Sequence, residues 1–308
     1  MLIDKLTVSR ANLASRKIQK ILFVSPQGDG TEINMIHEKI FHAKNFPDSY
    51  IETYIHEPYD ELQIKKRKAI IVCPGGGYGW LSEREGEPVA LQYFAAGLNA
   101  IVLRYSVQKK AENFAPLIEA CLAVKYLRDH AEELNIDESH IYVTGFSAGG
   151  HLAAWTGTMW HCPEVAAHLE GADQTLCKPT ATLPCYAVIT ADKKYTHGGS
   201  VMTLNGWVED EGLKRFSLEK HVDERTAPAF LWHTAEDTCV PVMNSILYAT
   251  ALMEKNIPFE LHIFPKGPHG LSLCNKETYV NNPALDIPYN AVWLDMAIRF
   301  VTECPFEK

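Results

Sequence analysis

The 308-residue sequence has no run approaching the ~20 apolar residues that a membrane-spanning helix requires, so a membrane partner is not expected. Its opening residues never build the apolar stretch of a secretory leader, because Asp4, Lys5, Arg10 and Arg16 interrupt it. A cytoplasmic location is expected. Cysteine pairs at C-x-x-C spacing are missing too. The eight cysteines (73, 121, 162, 177, 185, 239, 274 and 304) are scattered, several inside apolar runs such as IIVCP and EACLAV. Buried free thiols are expected, rather than disulfides or a metal cage. Positive charge is scarce: the formal net charge is −9, and a polyanion needs a concentrated basic face, so nucleic acid is disfavoured. The one basic run, Lys65 to Lys68, precedes an apolar strand pattern and reads as a solvated turn. HEKIFH (37–42) superficially resembles H-E-x-x-H, but its histidines are five apart, which on a helix separates them by ~140°. No metal site and no cofactor are expected. Repeats and low-complexity linkers are also absent, which favours one domain over residues 1–308; self-association into a homo-oligomer is left open.

Hydrophobic residues make up 46% and charged residues 22% of the chain, the balance of a soluble globular protein. From about residue 68, short β-branched runs alternate with longer helical patterns: KAIIVCP, a helix to Gly97, NAIVLRY, an amphipathic stretch over 114–134, HIYVTG, and an Ala-rich segment after Ser147. The alternation continues through PCYAVIT (184–190), APAFLWH (227–233), a helix over 242–255, FELHIFP (259–265) and a closing helix over 289–303. Strand, helix, strand in repetition predicts an α/β fold: a mainly parallel sheet of about eight strands with helices on both faces. SYIETYIHE (49–57) reads as an antiparallel edge strand, with more strand around ILFVS, so residues 1–66 would hold antiparallel strands and an extension. The helix after Pro74 has two candidate starts, a capping box of Ser82 with Glu85 or Pro88 in the first turn.

Four motifs carry chemistry. In GFSAGG, a buried strand runs into a helix through G-x-S-x-G, which puts Ser147 on the sharp bend of a nucleophile elbow. A serine hydroxyl needs a base to take its proton and a third group to orient that base. TAEDTCVPV and KGPHGLSL place Asp237 and His269 on loops just past strand ends, in the chain order Ser, Asp, His. Glu236 competes with Asp237, but D-x-x-V-P gives Asp237 an apolar anchor. Among the thirteen histidines, His151 is the rival base, one turn after Ser147; its helix looks buried, so a packing role is expected. For the oxyanion, PGGGYGW offers the backbone amides of Gly76 and Gly77, and Ala148 follows the nucleophile. As a phosphate loop this segment fails, since no G-K-[ST] follows and Trp80 stands where G-x-G-x-x-G needs its last glycine. Tyr78, Trp80 and Trp207 are candidates to stack on a substrate ring.

PGGGYG, GFSAGGHLA, HTAEDTCVP and PKGPHGLSL together resemble an α/β-hydrolase, more narrowly the bacterial acetyl-esterase and acetyl-xylan-esterase-like branch related to hormone-sensitive-lipase esterases. Pro74 departs from that branch, which usually has His in H-G-G-G. The resemblance implies a serine carboxylesterase acting on short acyl esters, such as acetates of sugars, through an acyl-enzyme. Members of that fold often carry a separate cap, but the about 36 residues between the strands expected at 184–190 and 227–233 leave room here only for a lid-like stretch over 191–226, with no separate cap domain. Two other functions compete: a prolyl-oligopeptidase-like peptidase, which would need a large gating domain, and a non-catalytic binding protein on a hydrolase scaffold. Because an imidazole must be neutral to act as base, the rate is expected to fall on acidification.

Overall fold

The computed structural model describes residues 12–13, 16–24, 32–58, 61–209 and 211–303, with side chains described from residue 37 onward. Its strands are β1 (Asn12–Leu13), β2 (Arg16–Val24), β3 (Glu32–Ile40), β4 (Tyr50–His56), β5 (Arg67–Cys73), β6 (Asn99–Arg104), β7 (Ile136–Phe146), β8 (Thr182–Cys185), β9 (Ala229–Thr234) and β10 (Phe259–Phe264). They form one sheet in the order β1-β2-β3-β4-β6-β5-β7-β8-β9-β10. The six strands from β6 to β10 are parallel to one another, and β1 to β4 extend one side antiparallel. The helices are α1 (Glu87–Ala95), α2 (Ala115–Asp129), α3 (Ala148–Met159), α4 (Pro163–Ala166), α5 (Gly198–Leu204), α6 (Met243–Glu254) and α7 (Val292–Glu303).

Successive side chains of a strand point to opposite faces, so a strand covered on both sides is apolar throughout. In β5, Ile71 and Cys73 join one core with Leu117 and Val124 of α2, Leu152 of α3 and Leu252 of α6. Ile70 and Val72 join the other, with Val89 and Tyr93 of α1 and with Trp293 and Phe300 of α7. Helices therefore cover both faces, as expected. Trp232 and Trp293 stack in the second core with centroids 5.1 Å apart, tying β9 to α7. Burial of each such side chain contributes about 1.5–3 kcal/mol relative to exposure. Because β5 to β10 run the same way, their carboxyl ends line one edge, and the motif loops all leave from it.

Some expectations are corrected. SYIETYIHE is antiparallel but is no edge, because β3 pairs along its outer side, Ile40 opposite Ile51. HEKIFH thus starts in β3, where His37 bonds the Thr53 carbonyl, and runs past its end at Ile40, where His42 bonds the Glu119 carbonyl. The expected strand over 184–190 is instead β8, which stops at Cys185: Tyr186 takes a φ of 35°, and residues 187–190 run on as buried loop. Ser82 makes no helix cap, and α1 starts at Glu87 with Pro88 in its first turn. Of the basic run, Arg67 and Lys68 already belong to β5, while Lys66 pairs with Glu132 and Glu138. Six cysteines are free and buried, Cys239 is free but exposed, and Cys304 lies outside the described residues. So do the opening residues 1–11, on which the reading of no secretory leader largely rests. Among the described residues no helix is long and apolar enough to cross a membrane, and no group of three or more His, Cys, Asp or Glu could hold a metal ion.

Candidate active site

Ser147 sits between β7 and α3 with φ 55° and ψ −116°, a conformation that costs a non-glycine residue of order 1–3 kcal/mol. Close packing around it holds the bend. A Cβ on Gly145 would meet the Gly149 carbonyl oxygen at 2.0 Å, and one on Gly149 would meet the Cys73 carbonyl oxygen at 2.1 Å, so only glycine lets β5, β7 and α3 approach this closely. The Ser147 amide donates to the Cys185 carbonyl at 3.0 Å, and its carbonyl accepts from Val188 at 3.2 Å. Strain here is fixed from both sides.

The structure brings together the three side chains that the motifs singled out. Ser147 Oγ lies 2.8 Å from His269 Nε2, and His269 Nδ1 lies 2.6 Å from Asp237 Oδ2. With Nδ1–H donating to the carboxylate, Nε2 is left to accept the serine proton. Asp237 is buried, and its Oδ1 accepts from the Cys239 and Val240 amides at 3.0 and 2.9 Å. Burial alone would raise its pKa, but hydrogen bonds from His233 and His269, the imidazole's charge and the Val240 amide hold the carboxyl well below the usual range. Asp237 therefore stays ionised beside the imidazole. Glu236, the competing acid, instead accepts the Gly267 amide at 3.2 Å.

His151 faces away from this relay. Its Nδ1 accepts from the Tyr78 hydroxyl at 2.8 Å and its Nε2–H donates to the Phe216 carbonyl at 3.2 Å. Burial pulls its pKa down to about 4, against the Phe216 contact, so the ring is a neutral packing element. This overturns one of the substrate candidates. Tyr78 has no exposed surface and its hydroxyl is engaged by His151, because its φ of 59° turns the ring inward beneath the glycine loop.

Gly76 and Gly77 border a cavity of about 410 Å³ together with Ser147 and His269. Both glycines have positive φ, 123° and 64°, which turns their amides out of any regular ladder. Neither amide, nor that of Ala148 at the start of α3, donates to another group among the described residues. Trp80 and Trp207 line the same cavity and are 64% and 68% exposed, leaving ring faces open. Residues 191–226 carry α5, and from this stretch His197 and Thr203 also reach the cavity. His197 was not anticipated. Its Nδ1 bonds Ser200 Oγ at 2.8 Å, and burial, reinforced by the His269 imidazole, lowers its pKa. Nothing in its local sequence, YTHGG, distinguishes it from a loop histidine. Also unanticipated are Arg84 and Glu85, which line the cavity, and Tyr186: Arg84 Nη1 donates to the Gly270 carbonyl at 3.0 Å, and the buried Glu85 accepts from Tyr186, so that together they hold the loops in place.

Residues 57–252 match the family model described as BD-FAE. The chain belongs to the BD-FAE family. Endo-1,4-beta-xylanase B of Butyrivibrio fibrisolvens is 39% identical to it over 266 residues, covering 80% of this chain and 40% of that protein. An acetylxylan esterase of Xylanibacter ruminicola is 27% identical, covering 66% of this chain and 41% of that one. The chain thus spans about two fifths of the length of these curated relatives. Among solved structures, the acetyl ester-xyloside bifunctional hydrolase of Caldicellulosiruptor lactoaceticus superposes with a TM-score of 0.72 at 37% identity, covering 84% of this chain and 89% of that one. These likenesses bear out the α/β-hydrolase fold and the resemblance to its esterases.

Proposed function

We propose that this BD-FAE member is a serine carboxylesterase that removes small acyl groups, acetyl above all, from sugars. The observation that carries the reading is the unbroken hydrogen-bonded line from Ser147 Oγ through His269 to the buried Asp237, opening on one cavity. Ser147 attacks the ester carbonyl while His269 Nε2 takes its proton, and Asp237 stabilises the imidazolium that forms. The developing oxyanion is received by the amides of Gly76, Gly77 and Ala148, each such donor contributing about 10²- to 10³-fold in rate. His269 returns the proton to the departing alcohol. Water, activated by the same imidazole, then attacks the acyl-enzyme and releases the acid.

The sugar portion is supported by the relatives' names, which concern xylan and xylosides, and by the two open indole faces of Trp80 and Trp207 at the cavity. Residues 191–226 act in this reading as a lid-like insertion on a single domain, since they bring Trp207 and His197 over the site. The test is turnover of p-nitrophenyl acetate and of acetylated xylo-oligosaccharides by wild type and Ser147→Ala. Hydrolysis that survives in the variant removes Ser147 from its role, and faster turnover of octanoyl than acetyl esters removes the short-chain preference. Preference for aminoacyl amides over acetyl esters would favour a peptidase instead.

A further inference from the structure

Glu85 takes no part in the proton relay, yet the residue is only 3% exposed. Burying a carboxylate is costly unless protein donors replace water. Here both oxygens have one. Oε2 accepts the amide of Gly75, which opens the glycine loop, at 3.0 Å, and Oε1 accepts the Tyr186 hydroxyl at 2.7 Å. The Tyr186 oxygen in turn accepts the Ser272 amide at 2.9 Å, three residues beyond His269. Its ring meets the His269 imidazole edge to face, with centroids 5.2 Å apart and planes at 75°. Ser272 Oγ closes the circuit by donating to the Arg84 carbonyl at 2.6 Å. One buried carboxylate therefore joins the loop bearing Gly76 and Gly77 to the loop bearing His269.

We propose that Glu85 and Tyr186 are positioning residues, a clamp that fixes the oxyanion donors relative to the general base by acting through Gly75, Ser272 and His269. This inference rests on the esterase reading above. A displacement of ~1 Å between reacting groups costs about 10²-fold in rate, and the clamp spans the two parts whose separation matters most. Tyr186 is itself immobilised, since its amide donates to the Trp232 carbonyl at 2.8 Å. Burial, with the Glu85 carboxylate beside it, raises its pKa well above the tyrosine range, so the hydroxyl remains a donor. A Cβ on Gly75 would lie 2.6 Å from Glu85 Oε2 and 3.2 Å from Ser147 Cβ, which leaves the clamp no slack between carboxylate and nucleophile.

The test uses Glu85→Gln and Tyr186→Phe in the full chain, beside wild type and Ser147→Ala. The first sets an amide donor against the Tyr186 hydroxyl or the Gly75 amide; the second removes the hydroxyl but keeps the ring against His269. Turnover of p-nitrophenyl acetate is expressed per site titrated by a fluorophosphonate, so loss of folded protein does not imitate the effect. The second readout is the affinity of phenylboronic acid, whose tetrahedral serine adduct engages the oxyanion donors. Both variants are expected to lose about 10- to 100-fold in kcat with KM within about threefold, and boronate affinity should fall in step. If Glu85→Gln does not fold, Tyr186→Phe carries the same expectation. Unchanged kcat per site, or lowered kcat with unchanged boronate affinity, overturns the clamp while Ser147-dependent turnover leaves the esterase reading standing. Wild-type turnover that persists in Ser147→Ala overturns both.

Discussion

Two histidines share the neighbourhood of Ser147, and their surroundings are opposite. His151 lies inside α3 with no exposed surface, bonded on both nitrogens to a tyrosine hydroxyl and a backbone carbonyl. His269 lies on the loop after β10, its side chain 19% exposed, with one nitrogen on a buried carboxylate and the other on the serine. Distance along the chain from Ser147 would favour His151. What separates them is the company of each ring nitrogen: His151 lies between a tyrosine hydroxyl and a backbone carbonyl, and His269 between a buried carboxylate and the serine hydroxyl.

The largest way to break this contrast is to swap each ring for an amide. His269→Gln is expected to lower kcat by roughly 10⁴- to 10⁶-fold, while His151→Gln, whose amide can still accept from Tyr78 and donate to Phe216, should stay within a few-fold of wild type. Similar losses in both would erase the distinction. Next in size is the elbow that both rings depend on. Gly145→Ala drives a methyl into the Gly149 carbonyl and should cost about 3 kcal/mol or more, read as a lower midpoint in urea.

A smaller effect sharpens the contrast through pH. His151 is held at about 4 in the fold, so between the ordinary 6.5 and about 4 the unfolded chain binds more protons there than the folded one. Stability should therefore fall as pH drops through that window, with His42, also lowered to about 4 by burial, adding to the loss. Glu119, pushed up to about 7 by burial, works the other way, its contribution fading as pH rises from 4.5 to 7. His151→Gln should narrow the gap between melting temperatures at pH 7 and pH 5; an unchanged gap would mean that His151 is not buried neutral. Smallest are the cavity aromatics: Trp80→Ala and Trp207→Ala should each raise KM for acetylated xylo-oligosaccharides about threefold to tenfold without affecting p-nitrophenyl acetate, and equal shifts on both substrates would argue against ring stacking.

The core strands, the elbow and the order Ser147, Asp237, His269 were legible because each has a local pattern: two-sided apolar runs, glycines about a serine, an acid and a histidine just after strands. Tyr78 was misread because its aromatic character says nothing about the positive φ that turns it inward. β3 escaped notice because its polar alternation, with Glu38 buried, imitates a solvated segment. The Glu85 network could not be read at all. Its members come from residues 75, 84, 85, 186 and 272, and Tyr186 and Ser272 lie far along the chain from the other three. Glu85 even carried a misleading local signal, since three residues after a serine it fits a helix cap. Only the folded sheet, by bringing the ends of β5, β8 and β10 to one edge, gives it a different partner.

The backbone at 147 carries one more consequence. A φ of 55° with ψ near −116° suits glycine far better than serine. Ser147→Gly should consequently tolerate more heat than the native chain while hydrolysing nothing. In the proposed esterase, position 147 thus holds a side chain that its own main chain disfavours, and durability would be subordinated there to reactivity.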